Sequence, residues 1–220
     1  MLEEKLHNLF LKYPEVIYGY TDISYSPYSK DYKSALVFAV PHKRQLTIND
    51  YRESEFELGI AKARFELEQI VTQIETLLKE ERVSYYIPSV AQKNEEELLA
   101  EFSFKFAAVN AGLGWIGKND VIITKQYGPR VRLSAVLIDE VFSYGQKYTK
   151  SECPEDCRKC VDICPHKALS GTTWDISTMR SDIINYHLCN QKRSEFIKLH
   201  GRKNACGLCL AVCPYGINLT

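Results

Sequence analysis

The stretch CRKCVDICPHKAL, residues 157–169, sets three cysteines ahead of a proline, and a related run, CGLCLAVCPYG at residues 206–216, repeats the device. With Cys153 in front of the first run, the spacing reads C-x3-C-x2-C-x3-C-P over Cys153, Cys157, Cys160 and Cys164. Cys189 is followed by C-x2-C-x3-C-P over Cys206, Cys209 and Cys213. Tight loops of this kind aim successive thiolates into one cavity and free backbone N–H groups to bond sulfur; the proline ends the loop after its last ligand. All eight cysteines lie in the last third of the sequence, whereas a secreted disulfide scaffold spreads them through a short chain. The thiols read as metal ligands.

Spacing of this type is how ferredoxins hold 4Fe-4S clusters, and in the two-cluster arrangement the fourth cysteine of each run serves the other cluster. The expected sets are Cys153, Cys157, Cys160 and Cys213 for one cluster and Cys164, Cys189, Cys206 and Cys209 for the other, with no thiol left over. Two four-cysteine zinc sites would use the same count, but zinc knuckles favour paired C-x2-C elements over three close thiols ending in Cys-Pro. The C-x3-C-x2-C order of radical S-adenosylmethionine enzymes leaves one iron without a cysteine; here a fourth cysteine and a second run complete the coordination. The five histidines, His7, His42, His166, His187 and His200, form no metal-spaced pair, although His187 lies close enough to Cys189 to touch a cluster's surroundings.

A chain of 220 residues accommodates a main domain and a smaller one. Lysine plus arginine and aspartate plus glutamate both number 28, so charge names no nucleic acid or acidic membrane as partner. The longest apolar run, ALVFAVP at residues 35–41, is far short of a bilayer span, and the opening MLEEKLHNLF is too acidic for a secretory signal. A cytoplasmic protein with no membrane association is expected.

Residues 2–12 carry Leu2, Leu6, Leu9 and Phe10 at helical spacing before Pro14. VIYGYTDI and SALVFAV read as strands, the second apolar throughout and therefore central, covered on both faces. From Ser54 to Glu81, the residues Ile60, Ala63, Leu67, Ile70, Ile74 and Leu77 recur at helical spacing. SYYIPSV reads as extended, residues 96–110 as a second buried helix, and DVIITK and RVRLSAVLI as strands separated by the turn YGPR. The aperiodic FSYGQKYTKSE marks a junction, so the expected domains are an α+β layer structure over residues 1–145 and a ferredoxin-like double-cluster domain over residues 146–220.

The segment AAVNAGLGWIGKNDVIIT, residues 107–124, places Gly112, Gly114 and Gly117 between helix and strand, the reverse of a dinucleotide fingerprint. On spacing alone Gly112 caps the helix and the others form a turn. Read together, AGLGWIGKN, YGPRVRLSAVLIDE, YKSALVFAVP and the two cysteine runs resemble the epoxyqueuosine reductase family, whose relatives include the reductive dehalogenases. That resemblance implies a nitroreductase-like α+β domain, a two-cluster ferredoxin-like domain and a cobalamin held between them, FMN being the weaker alternative. It implies electrons passing from a ferredoxin or flavodoxin through the clusters to cobalt, which attacks the substrate. Gly112, Gly114, Trp115, Gly117, Lys118 and Asn119 match the family's motif at the cofactor pocket; Trp115 fits equally as core and Lys118 as a solvated charge.

The sequence departs from the family in three places. The family's D-S-A-P-like stretch with its proton-donating aspartate would fall near Leu98, in NEEELLAEF, where no aspartate stands. Glu97 and Tyr86 are the substitute candidates for the proton donor, against plain readings as an acidic first turn of a helix and as a packed strand residue. The family's tRNA-modifying members continue into a helical-repeat domain, whereas this sequence ends seven residues after Cys213, and the first cysteine run is one residue longer than usual. The expected substrate is therefore a corrinoid protein or a small electrophile rather than tRNA. The competing expectation is a non-enzymatic electron carrier.

Overall fold

The structure, a computed structural model, describes residues 1–90, 99–191, 195 and 206–217, and the backbone of 92–94. The chain forms two compact units, the first comprising Met1–Pro41, Ala63–Leu113 and Val131–Tyr148, the second His42–Lys62, Gly114–Arg130 and Thr149–Thr220.

In the first unit α1 (Leu2–Phe10) turns Leu6, Leu9 and Phe10 inward, as its apolar spacing requires. Strands β1 (Ile17–Asp22), β2 (Ser34–Pro41), β3 (Tyr85–Tyr86) and β8 (Val131–Ile138) form one antiparallel sheet in the order β1-β2-β8-β3. All eight residues of β2 are buried. On one face Leu36, Phe38 and Val40 pack with Leu6 and Phe10 of α1 and with Ile70, Ile74 and Leu78 of the long helix α2 (Glu53–Glu80). Each such fully buried side chain contributes about 1.5–3 kcal/mol. The opposite face is covered by α3 (Phe104–Asn110), which touches β1, β2 and β8. Gly19, opposite Val37 in the ladder, allows this approach, since a Cβ there would stand 2.6 Å from the Ala111 carbonyl oxygen. The helical period places the last buried contact of α2 at Leu77, but the structure buries Leu78 and leaves Leu77 half-buried.

The helix expected over residues 96–110 is shorter. It starts after Ser103, which takes the N-cap position that serine favours, and Leu99–Ala100 (β5) pairs instead with Gln92–Asn94 (β4). Here strand pairing overrides helix propensity; residues 95–98 lie outside the described residues. DVIITK contributes only Ile122–Ile123 (β7), which pairs with Trp115–Ile116 (β6) as a hairpin, while β8 joins the large sheet.

Among the described residues of the second unit, two small apolar centres have cysteines packed against them. Leu46, Phe56, Ile60 and Leu210 form one, with Cys209 against it. Val161, Ala168, Leu169 and Ile184 form the other, packed by Cys160, Cys164, Cys189 and Cys209. Its helices among the described residues are brief: α4 (Lys159–Asp162), α5 (Arg180–Ile183), a turn at residues 186–191 and Leu208–Ala211. Among the described residues no helix is long and apolar enough to cross a membrane.

Candidate metal centre

Each cysteine run wraps a single helical turn. Cys160 lies in α4 and Cys209 in Leu208–Ala211, so the backbone reverses around each and turns the flanking thiols inward. All eight cysteines are unpaired by disulfides, seven half-buried and Cys213 buried.

Burial pushes the Cys160 thiol up to about 12, and the next contributions come from Cys213, Cys153 and Cys157. Burial likewise raises Cys209 well above its ordinary value, followed by Cys206 and Cys189, with Cys160 and Cys164 weaker. Burial lifts Cys213 to about 11 against the Tyr215 backbone N–H and the Arg130 guanidinium, which favour the thiolate. Geometry brings Cys153, Cys157, Cys160 and Cys213 to one recess, the last of them from the second run. Cys164, Cys189 and Cys209 gather with Cys160 around one apolar centre. The Cys160, Cys209 and Cys213 thiols are costly to ionise alone, a cost that a bound iron would offset.

The first group lines a recess of about 340 Å³, its open mouth included, together with Lys118, Asn119, Ile123 and Tyr215. In the second group the Ala168 N–H donates to Cys164 Sγ at 3.3 Å, the backbone-to-sulfur bond that loops of this type provide. Among the described residues no three His, Cys, Asp or Glu side chains close on a single metal ion. Four soft ligands lining one recess, and further thiols with a backbone N–H donated to Cys164 Sγ, fit a pair of four-iron clusters.

Several residues outside the cysteine runs hold this arrangement. Lys118, only 3% exposed, is not a solvated charge: its Nζ donates to the carbonyls of Pro154 at 2.9 Å, Glu155 at 2.7 Å and Cys157 at 3.2 Å. Asn119 Nδ2 donates to the Cys209 carbonyl at 3.3 Å, and the Tyr51 hydroxyl donates to that of Cys206. Arg130, 1% exposed, donates to the carbonyls of Leu46, Tyr215, Ala211 and Cys213. Arg130 was not singled out from sequence, although it stands in the motif YGPRVRLSAVLIDE; a lone arginine beside a strand gives no local sign that its partners lie more than 80 positions away.

The glycine segment is filled by protein. Gly112 follows the end of α3 at φ +76°, with its N–H bonded to the Val109 carbonyl and that of Leu113 to Ala108, a Schellman cap. A Cβ at Gly112 would lie 2.7 Å from the Gln146 oxygen, at Gly114 2.0 Å from that of Ile123, and at Gly117 2.7 Å from Asn119 Oδ1. Trp115 is fully buried, edge-on to Tyr215 with ring centroids 4.9 Å apart. These positions are occupied by close packing of the chain on itself, so the segment offers no open cradle for a planar cofactor such as cobalamin.

Of the two proton-donor candidates, Glu97 lies outside the described residues. Tyr86 sits at the sheet edge in β3, stacks on Tyr28 with centroids 5.2 Å apart, and donates to Glu101 Oε1 at 2.9 Å. That hydrogen bond, with a smaller contribution from Tyr28, pushes Tyr86 up to about 12. His187 is exposed and packs its ring on Tyr186.

Residues 152–216 match the family of the 4Fe-4S double cluster binding domain. The epoxyqueuosine reductase of Atelocyanobacterium thalassa (isolate ALOHA) is 36% identical over 116 residues, 50% of this chain and 36% of that protein. A crystal structure of epoxyqueuosine reductase with an epoxyqueuosine-modified tRNA stem loop superposes with a TM-score of 0.62 at 18% identity, covering 98% of this chain and 65% of that one. A reductive dehalogenase structure, whose description names B12-dependent dehalogenation, superposes with a TM-score of 0.64 at 17% identity over 90% of this chain and 29% of its own. The chain therefore spans about a third of the curated relative and under two thirds of the structural one.

Proposed function

We propose that this chain, a relative of the epoxyqueuosine reductases and reductive dehalogenases, is an iron–sulfur reductase that takes electrons from a ferredoxin or flavodoxin. The observation that carries the reading is the convergence of Cys153, Cys157, Cys160 and Cys213 on one recess, with Cys164, Cys189 and Cys209 gathered with Cys160 around one apolar centre, which supports one cluster on the first four thiols and a second on Cys164, Cys189, Cys206 and Cys209. Bound there, two 4Fe-4S clusters supply one-electron transfer. The chain's own part is to fix the ligands: Lys118 and Asn119 hold one loop from each run, Arg130 holds the end of the second, and the apolar centre around Val161 and Leu169 excludes water.

Within the same proposal, the layered first unit is nitroreductase-like and the protein takes cobalamin, a reading supported by the B12 named for the reductive dehalogenase neighbour. Gly112, Gly114 and Gly117, where an added Cβ would meet protein atoms, fix the loop's own packing in this reading. Glu97 or Tyr86 donates the proton; a phenol held near 12 is a poor acid at neutral pH, which favours Glu97 of the two. The substrate is a corrinoid protein, a small electrophile, or the epoxyqueuosine nucleoside of tRNA. The same filled segment favours a second reading, a non-enzymatic electron carrier.

One anaerobic series separates these readings. About eight iron and eight sulfide per chain support the clusters, and stoichiometric zinc without colour rejects them. Binding of cobalamin or FMN at one per chain supports the reductase; binding of neither supports the carrier. With reduced donor and epoxyqueuosine-containing tRNA, queuosine detected by mass spectrometry assigns the tRNA substrate, and its absence with cobalamin bound directs the search to corrinoid proteins and small electrophiles.

A further inference from the structure

Two buried cations flank one of the two thiol groups. On one side the Arg130 guanidinium lies against the loop that ends in Cys213, with Nη2 2.8 Å from the Cys213 carbonyl and 3.2 Å from that of Ala211. Its Nη1 is 2.8 Å from the Tyr215 carbonyl and its Nε 2.9 Å from that of Leu46. On the other side Lys118 Nζ holds the carbonyls of Pro154, Glu155 and Cys157. Both side chains are spent on carbonyls rather than on a carboxylate. The acid that acts on Arg130 from a distance, Asp50, is itself bonded to Thr47 and Arg44. The two positive charges therefore stay largely uncancelled where the dielectric is low and charge acts strongly.

We infer that Arg130, seconded by Lys118, sets the reduction potential of the cluster held by Cys153, Cys157, Cys160 and Cys213. A cluster ligated by four thiolates becomes more negative by one charge when it accepts an electron, so a fixed neighbouring cation stabilises the reduced form and raises the midpoint. Asn119 at Cys209 and Tyr51 at Cys206 are neutral donors to the second group's backbone, whereas both buried cations donate to loops that carry Cys157 and Cys213, so the effect is expected at the first cluster. Arg130 and Lys118 act as positioning residues, with charge as a second and separable contribution.

This inference rests on the cluster reading, and the test keeps the two apart. Iron and sulfide are counted first on the full-length protein; a wild-type chain without two clusters fails the underlying reading before any potential is measured. Potentiometric titration followed by electron paramagnetic resonance then gives two midpoints, assigned with Cys209→Ser, which removes the second cluster. Arg130→Gln is expected to shift the first midpoint downward and leave the second in place, whereas Arg130→Lys, which keeps the charge, stays near wild type. If Arg130→Gln costs the chain its first cluster, Lys118→Gln carries the test, with the same downward shift expected. Either glutamine variant that keeps both clusters with an unmoved first midpoint overturns the inference, as does an Arg130→Lys shift as large as that of Arg130→Gln.

Discussion

Replacing Gly114 by alanine asks whether the glycine segment serves the chain or a ligand. The added Cβ would lie 2.0 Å from the Ile123 oxygen, 2.8 Å from its carbonyl carbon and 3.2 Å from the Thr124 Cα. All three atoms belong to backbone, and Ile123 is paired with Trp115 in the β6–β7 hairpin, so no side chain can swing aside. Overpacking of a dense site costs about 1–3 kcal/mol, and a rigid obstacle belongs at the upper end. At about 3 kcal/mol, and about 2–4 °C per kcal/mol for a chain of this size, the melting midpoint should fall by roughly 6–12 °C. The assay is thermal unfolding by circular dichroism on anaerobic, cobalamin-free protein, with Gly59→Ala as the control, since a Cβ there finds its nearest neighbour at 3.8 Å. A Gly114→Ala protein that melts like wild type without cofactor and fails only in cobalamin binding would refute the reasoning and assign this glycine to the ligand.

Cys164→Ser and Cys209→Ser should each lower iron from about eight to about four per chain and abolish the same paramagnetic signal, although the residues belong to different runs; loss of different signals would break the assigned grouping. Phe38→Ala, at a fully buried position in β2, should destabilise the chain by about 3–5 kcal/mol in urea unfolding while leaving the colour of the folded protein unchanged. The Asp50 carboxylate is held below its ordinary value of 3.8, first by the Thr47 side chain. A depressed carboxylate contributes stability that is present above pH 3.8 and is lost as the pH falls through the lower folded value, so Asp50→Asn should be less stable near neutrality and converge with wild type in acid. Tyr86→Phe should retain turnover in whichever reductive assay succeeds, while Glu97→Gln should lower it; the reverse result would make Tyr86 the donor.

What could be read from sequence followed the range of the interactions. The cysteine spacings, the fully apolar β2 and most of α2 are written in local pattern, and each is found in place. Leu77 and Leu78 show the limit, since both lie within the period and only packing chooses between them. The short β5 in place of a helix start depends on a partner strand that composition does not reveal. Lys118 and Arg130 lie further from view still: a buried cation looks like a solvated one until the chain brings carbonyls from 36 to 85 positions away onto it. The glycines carry both messages at once, because close approach to backbone and close approach to a cofactor call for the same absent Cβ.

The cluster-bearing unit borrows from sequence long before its first cysteine. Leu46, Phe56 and Ile60 supply three of the four residues of one of its apolar centres, and a Cβ on Gly207 would collide with the Phe56 ring at 2.4 Å. Tyr51, Lys118 and Arg130 then hold the cysteine loops themselves. A gene fragment cut at the junction expected from sequence near residue 145 would keep every thiol and lose all of these, leaving Leu210 without those apolar neighbours and the loop carbonyls without their donors. The cysteine runs resemble a cassette that could be lifted out and fused elsewhere, yet here the cassette has been sewn into its host. Domain-swapping experiments that treat residues 146–220 as a transferable electron-transfer module should yield protein that binds iron poorly unless residues 42–62 and 114–130 travel with it.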